Sequence, residues 1–140
     1  LSHRKTLALV AGQGVDRMRG WMLLVGSWLM FQAAGQAQER VLKHVVLYQF
    51  KAGLTAAQVQ EVVDAFAALP RQIDTILSFE HGTNVSQEGK SEGLTHLFVV
   101  TFRNQADLEA YLVHPAHQAY VNLVRDRREK VIVFDYWATR

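Results

Sequence analysis

From residue 41 onward the apolar positions repeat with two different periods, and the switches between them mark out the elements. Val41–Phe50 alternates at period two, with Leu42, His44, Val46, Tyr48 and Phe50 on one face and Val41, Lys43, Val45, Leu47 and Gln49 on the other. This predicts a strand, and one with apolar side chains on both faces, whereas a strand with one wet side reads apolar-polar. Lys51-Ala52-Gly53 ends it. Thr55 with Gln58 has capping-box spacing and predicts a helix start. Val59, Val62, Val63, Phe66 and Leu69 then recur at intervals of three and four, the stripe of a half-buried helix, until Pro70 stops it. Ile76–Val85 reads as a second strand, with a bulge or bend expected at Gly82, and the polar stretch Ser86–Gly93 as a hairpin loop. Leu94–Phe102 alternates again, Leu94, His96, Phe98, Val100 and Phe102 against Thr95, Leu97, Val99 and Thr101.

Asn104 with Asp107 opens a second helix with Leu108, Tyr111 and Leu112 on one side. Pro115 cannot continue that helix but suits the first turn of a third, with His114 in the cap position. Ala116, Ala119, Tyr120, Leu123 and Val124 form the inward stripe of this helix, and Val131–Trp137 is the last strand. The order β-α-β-β-α-α-β is the split βαβ pattern of an α+β, ferredoxin-like domain with a four-stranded antiparallel sheet. Helices on one side leave the other sheet face open, and that face is expected to hold Val45, Leu47, Leu97 and Val99. Leaving such side chains wet costs about 1.5–3 kcal/mol each relative to burial. Two such sheets packed face to face remove the cost, so the expected form is a homodimer, a dimeric α/β barrel.

The first 37 residues lie outside this pattern. Trp21–Phe31 is an uncharged run of 11 residues preceded by Arg17 and Arg19 and followed by Q-A-A-G-Q-A, with small residues placed for cleavage after Gly35 or Ala37. These are the parts of a secretory signal peptide, and the run is shorter than the ~20 residues of a membrane span. The expectation is an exported, periplasmic or secreted protein, with residues 1–37 as leader, residues 38–140 as the domain and no stable membrane span. Met18 would be a natural initiator, which makes residues 1–17 an upstream extension.

Charge follows the same division. Arg4, Lys5, Arg17 and Arg19 face a single acid, Asp16, in the leader, while the domain carries 11 Lys and Arg against 12 Asp and Glu. The basic balance of the whole chain therefore does not imply a nucleic-acid surface. With no cysteine there is no disulfide, thiolate nucleophile or cysteine metal site. No serine nucleophile elbow, phosphate loop or dinucleotide fingerprint appears, His114 and His117 lack placed carboxylates, and nothing calls for a metal or cofactor.

What chemistry remains belongs to histidines and tyrosines. His44 and His96 share the parity of the large apolar side chains on neighbouring strands, so the two imidazoles are expected close together on the helix-facing side. His117, near the start of the third helix, is kept neutral by the helix dipole and suits a general base next to a carbonyl. Tyr111 suits a hydrogen-bond donor to the developing enolate oxygen, and His96 is placed to fix the tautomer of His117. His44, His96, Phe98 and His114 are expected to wall a small apolar-ligand pocket between sheet and helices, with a cap role for His114 as the alternative. His81 reads as an exposed strand residue.

The strings K-H-V-V-L-Y-Q-F, G-L-T-H-L-F-V-V-T-F, Y-L-V-H-P-A-H-Q-A-Y and V-I-V-F-D-Y, spread over Val41 to Trp137, resemble the stress-responsive dimeric A/B barrel (Dabb) family. The resemblance implies a ferredoxin-like fold whose two sheets form a dimeric barrel, and stress or stability roles for some members. One polyketide-cyclising member promotes an aldol-type ring closure with a histidine base and a tyrosine. Its pair matches His117 and Tyr111, and its two strand histidines match His44 and His96. Three functions are expected from this: a dimeric module binding a small apolar molecule, a cyclase- or isomerase-like enzyme using His117 and Tyr111, or a purely structural dimer.

Overall fold

Each helix starts where a side chain takes over an orphaned backbone N–H. The computed structural model describes residues 40–139, with β1 at Arg40–Phe50, α1 at Ala56–Ala68, a 3-10 turn at Leu69–Arg71, β2 at Ser78–Thr83, β3 at His96–Phe102, α2 at Gln105–Val113, α3 at Pro115–Arg125 and β4 at Arg128–Thr139. Thr55 Oγ1 accepts from the Gln58 N–H at 3.2 Å while Gln58 Oε1 accepts from the Thr55 N–H at 2.8 Å, the reciprocal capping box. Asn104 Oδ1 accepts from the Asp107 N–H at 2.9 Å, and His114 Nδ1 accepts from the Ala116 N–H at 3.1 Å, ahead of Pro115. Pro70 ends the α-helical pattern but sits inside the 3-10 turn, where its fixed φ is accommodated.

The sheet is antiparallel in the order β2-β3-β1-β4, the α+β ferredoxin-like arrangement. Leu42, Val46 and Tyr48 of β1 with Phe98, Val100 and Phe102 of β3 form the floor of the core. Val62, Val63 and Phe66 of α1, Leu108 and Tyr111 of α2, and Tyr120 and Val124 of α3 form its roof. Phe66 stacks on Phe98 with ring centres 4.6 Å apart and leans on Tyr120 at 4.5 Å. Burying each such ring contributes about 1.5–3 kcal/mol, so the helix layer is fixed chiefly by aromatic packing.

Several expectations are corrected. β2 is shorter than Ile76–Val85: Ile76 packs against the core before the strand begins, and Val85 is exposed beyond its end. Gly82 makes no bulge, because it pairs in register with Leu97. A glycine that a turn does require is Gly93, which has φ of 81° and whose absent Cβ would lie 2.7 Å from Gln49 Nε2. Leu112 and Ala119 are exposed, each next to a buried tyrosine of its helix, Tyr111 and Tyr120. On the open face Val99 is buried within one chain, flanked in neighbouring strands by Val45 and Glu80. The larger departure is β4, which is longer than expected and exposed on both faces. The candidate export signal lies outside the described residues. No helix among the described residues is long and apolar enough to cross a membrane.

Candidate functional site

Register, which alternation alone does not define, sets the first contact of the site. His44 on β1 stands directly opposite Asp135 on β4, and its Nδ1 lies 2.7 Å from Asp135 Oδ1. A carboxylate accepts, so Nδ1 carries the hydrogen. The His44 ring is buried on the helix side of the sheet, edge-on to Tyr111 at 5.8 Å.

Tyr111 reaches the same place from α2. Its ring is fully buried against Phe102 at 5.1 Å, and its hydroxyl is buried without a hydrogen-bond partner. An unsatisfied buried hydroxyl costs roughly 1–3 kcal/mol. Burial pushes its pKa well above the ordinary phenol value, which keeps the proton on and the group a donor.

His117 comes from α3, where it is the third residue after the His114 cap. Its ring centre is 4.2 Å from that of Tyr111. Nδ1 lies 3.0 Å from the Leu112 carbonyl oxygen, which can only accept, so Nδ1 is again the donor and Nε2 is free. Burial lowers its pKa, the Leu112 bond works in the opposite direction, and the neighbouring His44 and His114 lower it further. Desolvation is the largest cause, and the neutral base form is favoured.

Asp135, His44, Tyr111 and His117 thus form a row across the helix side of the sheet, with the Tyr111 ring between the two imidazoles. That set can donate a hydrogen bond to an oxygen and accept a proton from the carbon beside it. Asp135 was not among the expected site residues. Its signal in the sequence is that it is the only charged residue between Val131 and Thr139.

The other expected residues lie elsewhere. His96 pairs with Tyr48, four residues along β1 from His44, which separates the two histidines by about 13 Å along the strand. His96 Nδ1 is 2.8 Å from Thr95 Oγ1 and its ring stands edge-on to Phe50 at 5.0 Å. It neither sits beside His44 nor orients His117, whose tautomer is set by Leu112. Phe98 is a core ring between Phe66 and Tyr48. His114 is the helix cap. Near this end of the core, Tyr120 donates to the Tyr48 hydroxyl at 3.2 Å, a buried polar pair that apolar patterning did not mark. Burial raises both phenol pKa values.

A groove of about 710 Å³ lies on the opposite side of the sheet, under the loop that joins β2 to β3, with Leu47, Leu94, Leu97 and Ile132 in its lining. Of the expected wall residues only His96 borders it. It is spatially separate from the Tyr111 row and carries none of that chemistry. Among the described residues no group of three or more His, Asp or Glu is placed to hold a metal ion.

Comparison with known proteins agrees with this architecture. Residues 42–138 match the family described as Stress responsive A/B Barrel Domain. The stress-response A/B barrel domain-containing protein HS1 of Arabidopsis thaliana is 34% identical over 98 residues, covering 70% of this chain and 90% of that protein. Olivetolic acid cyclase of Cannabis sativa is 34% identical over 95 residues, covering 68% of this chain and 94% of the cyclase. A dimeric ferredoxin-like protein of unknown function from Jannaschia sp. CCS1 superposes with a TM-score of 0.60 at 29% identity, covering 69% of this chain and 97% of that one.

Proposed function

The chain belongs to the stress-responsive A/B barrel family, and from that premise we propose that it is a homodimer that binds a small carbonyl compound against Tyr111 and exchanges a proton with it. The observation that carries this reading is the buried, unpartnered hydroxyl of Tyr111, whose ring lies between two imidazoles with both Nδ1 atoms engaged. A hydroxyl in that position is stabilised when a ligand oxygen accepts from it. His117 Nε2 then takes a proton from the carbon next to the carbonyl, and the charge that moves to the oxygen is held by Tyr111. Return of the proton to another carbon completes an isomerisation, while attack of the enolate on a second carbonyl, with His117 giving its proton to the alkoxide that forms, completes a ring closure. The adjoining Phe102 suits an apolar remainder of the ligand. Similarity to a cyclase supports the carbonyl class, and similarity to a dimeric protein supports the homodimer.

A second reading, a binding module without turnover, is favoured by the dense aromatic packing between sheet and helices. Both are tested with 2-heptanone in D₂O, following exchange of the protons beside the carbonyl by NMR. The enzyme reading expects exchange above the buffer rate, lowered by ~10²-fold or more in His117→Ala and also reduced in Tyr111→Phe. Ligand-induced shifts at Tyr111 without added exchange favour the binding module. Exchange unchanged in His117→Ala removes His117 as the base.

A further inference from the structure

We infer that the carbonyl compound carries a carboxylate at the far end of an apolar chain, and that Trp137 and Arg40 hold that end. This rests on the carbonyl reading above and deepens it to a class of ligand, the long-chain oxo acids.

Inward from Tyr111 the core is filled. Phe66, Phe98 and Phe102 are buried, Phe66 stacks on Phe98, and the Tyr48–Tyr120 hydroxyl pair closes the space beyond. Outward, the row ends at Asp135, whose side chain is 40% exposed. On the helix side of β4 no described helix covers Val133 and Trp137, the residues on either side of Asp135, which are 53% and 43% exposed. A ligand whose oxygen meets Tyr111 therefore has this strip of β4 on which to lay its remainder.

Trp137 is two residues from Asp135 on the same face, about 7 Å along the strand, and stands opposite Leu42. Arg40 shares that face, four residues before His44 in β1, or about 13 Å. Its side chain folds back over Trp137, with the guanidinium carbon 5.8 Å from the ring centre. Among the described residues Arg40 forms no ion pair. The ring offers a face to an alkyl chain and orients the guanidinium from below, which leaves the N–H fork for a carboxylate.

Asp135 fixes where on the ligand that carboxylate stands. Placed next to the carbonyl it would be repelled by Asp135, whereas at the far end it is attracted by Arg40. The strand spacing separates the two oxygen functions by about 7–13 Å. The site therefore prefers a distal oxo acid to a neutral ketone and to a 2-oxo acid.

The test titrates the full chain with 8-oxononanoate, 2-oxononanoate and 2-nonanone, which share one carbon chain, and follows Tyr111 and Trp137 by NMR. The expected result is that 8-oxononanoate shifts both residues and binds about fivefold more tightly than 2-nonanone, the size of an exposed ion pair, while 2-oxononanoate gains nothing over the ketone. That preference is lost in Arg40→Gln, returns in part in Arg40→Lys and shrinks as salt is added. The salt series reads it in the wild type without any substitution. Equal binding of 8-oxononanoate and 2-nonanone, with Tyr111 shifted by both, overturns this inference and leaves the carbonyl reading standing. A preference that survives Arg40→Gln also overturns it, by placing the carboxylate elsewhere. No shift at Tyr111 with any of the three overturns the carbonyl reading, and this inference with it.

Discussion

β1 and β4 are neighbours in one sheet, alternate apolar residues in the same way and end in opposite surroundings. Leu42, Val46 and Tyr48 of β1 are buried under helices and between strands, whereas Val133, Phe134 and Trp137 of β4 are open to water. Hydrophobic alternation gives a strand two faces able to be buried. Its position in the sheet decides whether one chain can bury them. β1 is central and has helices above it, while β4 is an edge with neither a second strand nor a helix to cover it among the described residues.

The largest effect expected from this contrast is between two phenylalanines. Phe98→Ala, in the packed core, is expected to cost ~3–5 kcal/mol in denaturant unfolding at any protein concentration. Phe134→Ala is expected to cost within about 0.5 kcal/mol at concentrations where the chain is monomeric, as for an exposed site. Its cost rises as the dimer forms, because the reference state changes. Equal and concentration-independent costs at the two positions would remove the distinction between the strands.

A smaller effect separates two tyrosines. Tyr120→Phe deletes the donor to the Tyr48 hydroxyl in the core and is expected to cost about 1 kcal/mol. Tyr136→Phe, on exposed β4, is expected to be neutral in the monomer by the same measurement.

The smallest is a dependence on pH. Burial lowers the pKa of both His96 and His117 in the folded chain, while in the unfolded chain a histidine titrates near ~6.5. Below that pH the unfolded state binds more protons than the folded one, so stability falls as pH drops, until the folded rings titrate in turn. The thermal midpoint is therefore expected to decline from about pH 6.5 downward, less steeply in His117→Gln. β4 contains no histidine, so this sensitivity arises outside that strand. An unchanged slope in His117→Gln would assign the sensitivity to other groups.

What the sequence discloses is local. The capping box at Thr55, the cap at His114 before Pro115, most of each helix stripe and the parity of β1 and β3 all rest on residues within a few positions of one another, and these reappear in the structure. What it conceals is non-local. Parity puts His44 and His96 on the same face, but only register shows that they are four residues out of line, and that His44 faces Asp135 across 91 positions of chain. Alternation likewise cannot tell that β4 is an uncovered edge, because cover is a property of the neighbours. Tyr48 and Tyr120 read as apolar stripe members, and their hydroxyl pair exists only once both rings share the core.

The break between α2 and α3 has a mechanical consequence. Pro115 has no N–H, and the Ala116 N–H that would serve the Leu112 carbonyl is taken by His114. Leu112 is instead held by two side chains from beyond the break, His117 Nδ1 at 3.0 Å and Gln118 Nε2 at 2.6 Å. The two short helices are pinned into one lever across a joint that the backbone leaves unlatched. The pin survives protonation, because a proton gained at Nε2 leaves the Nδ1–H bond to Leu112 in place and that bond favours the charged ring. His117 can take up and release a proton without letting the lever turn.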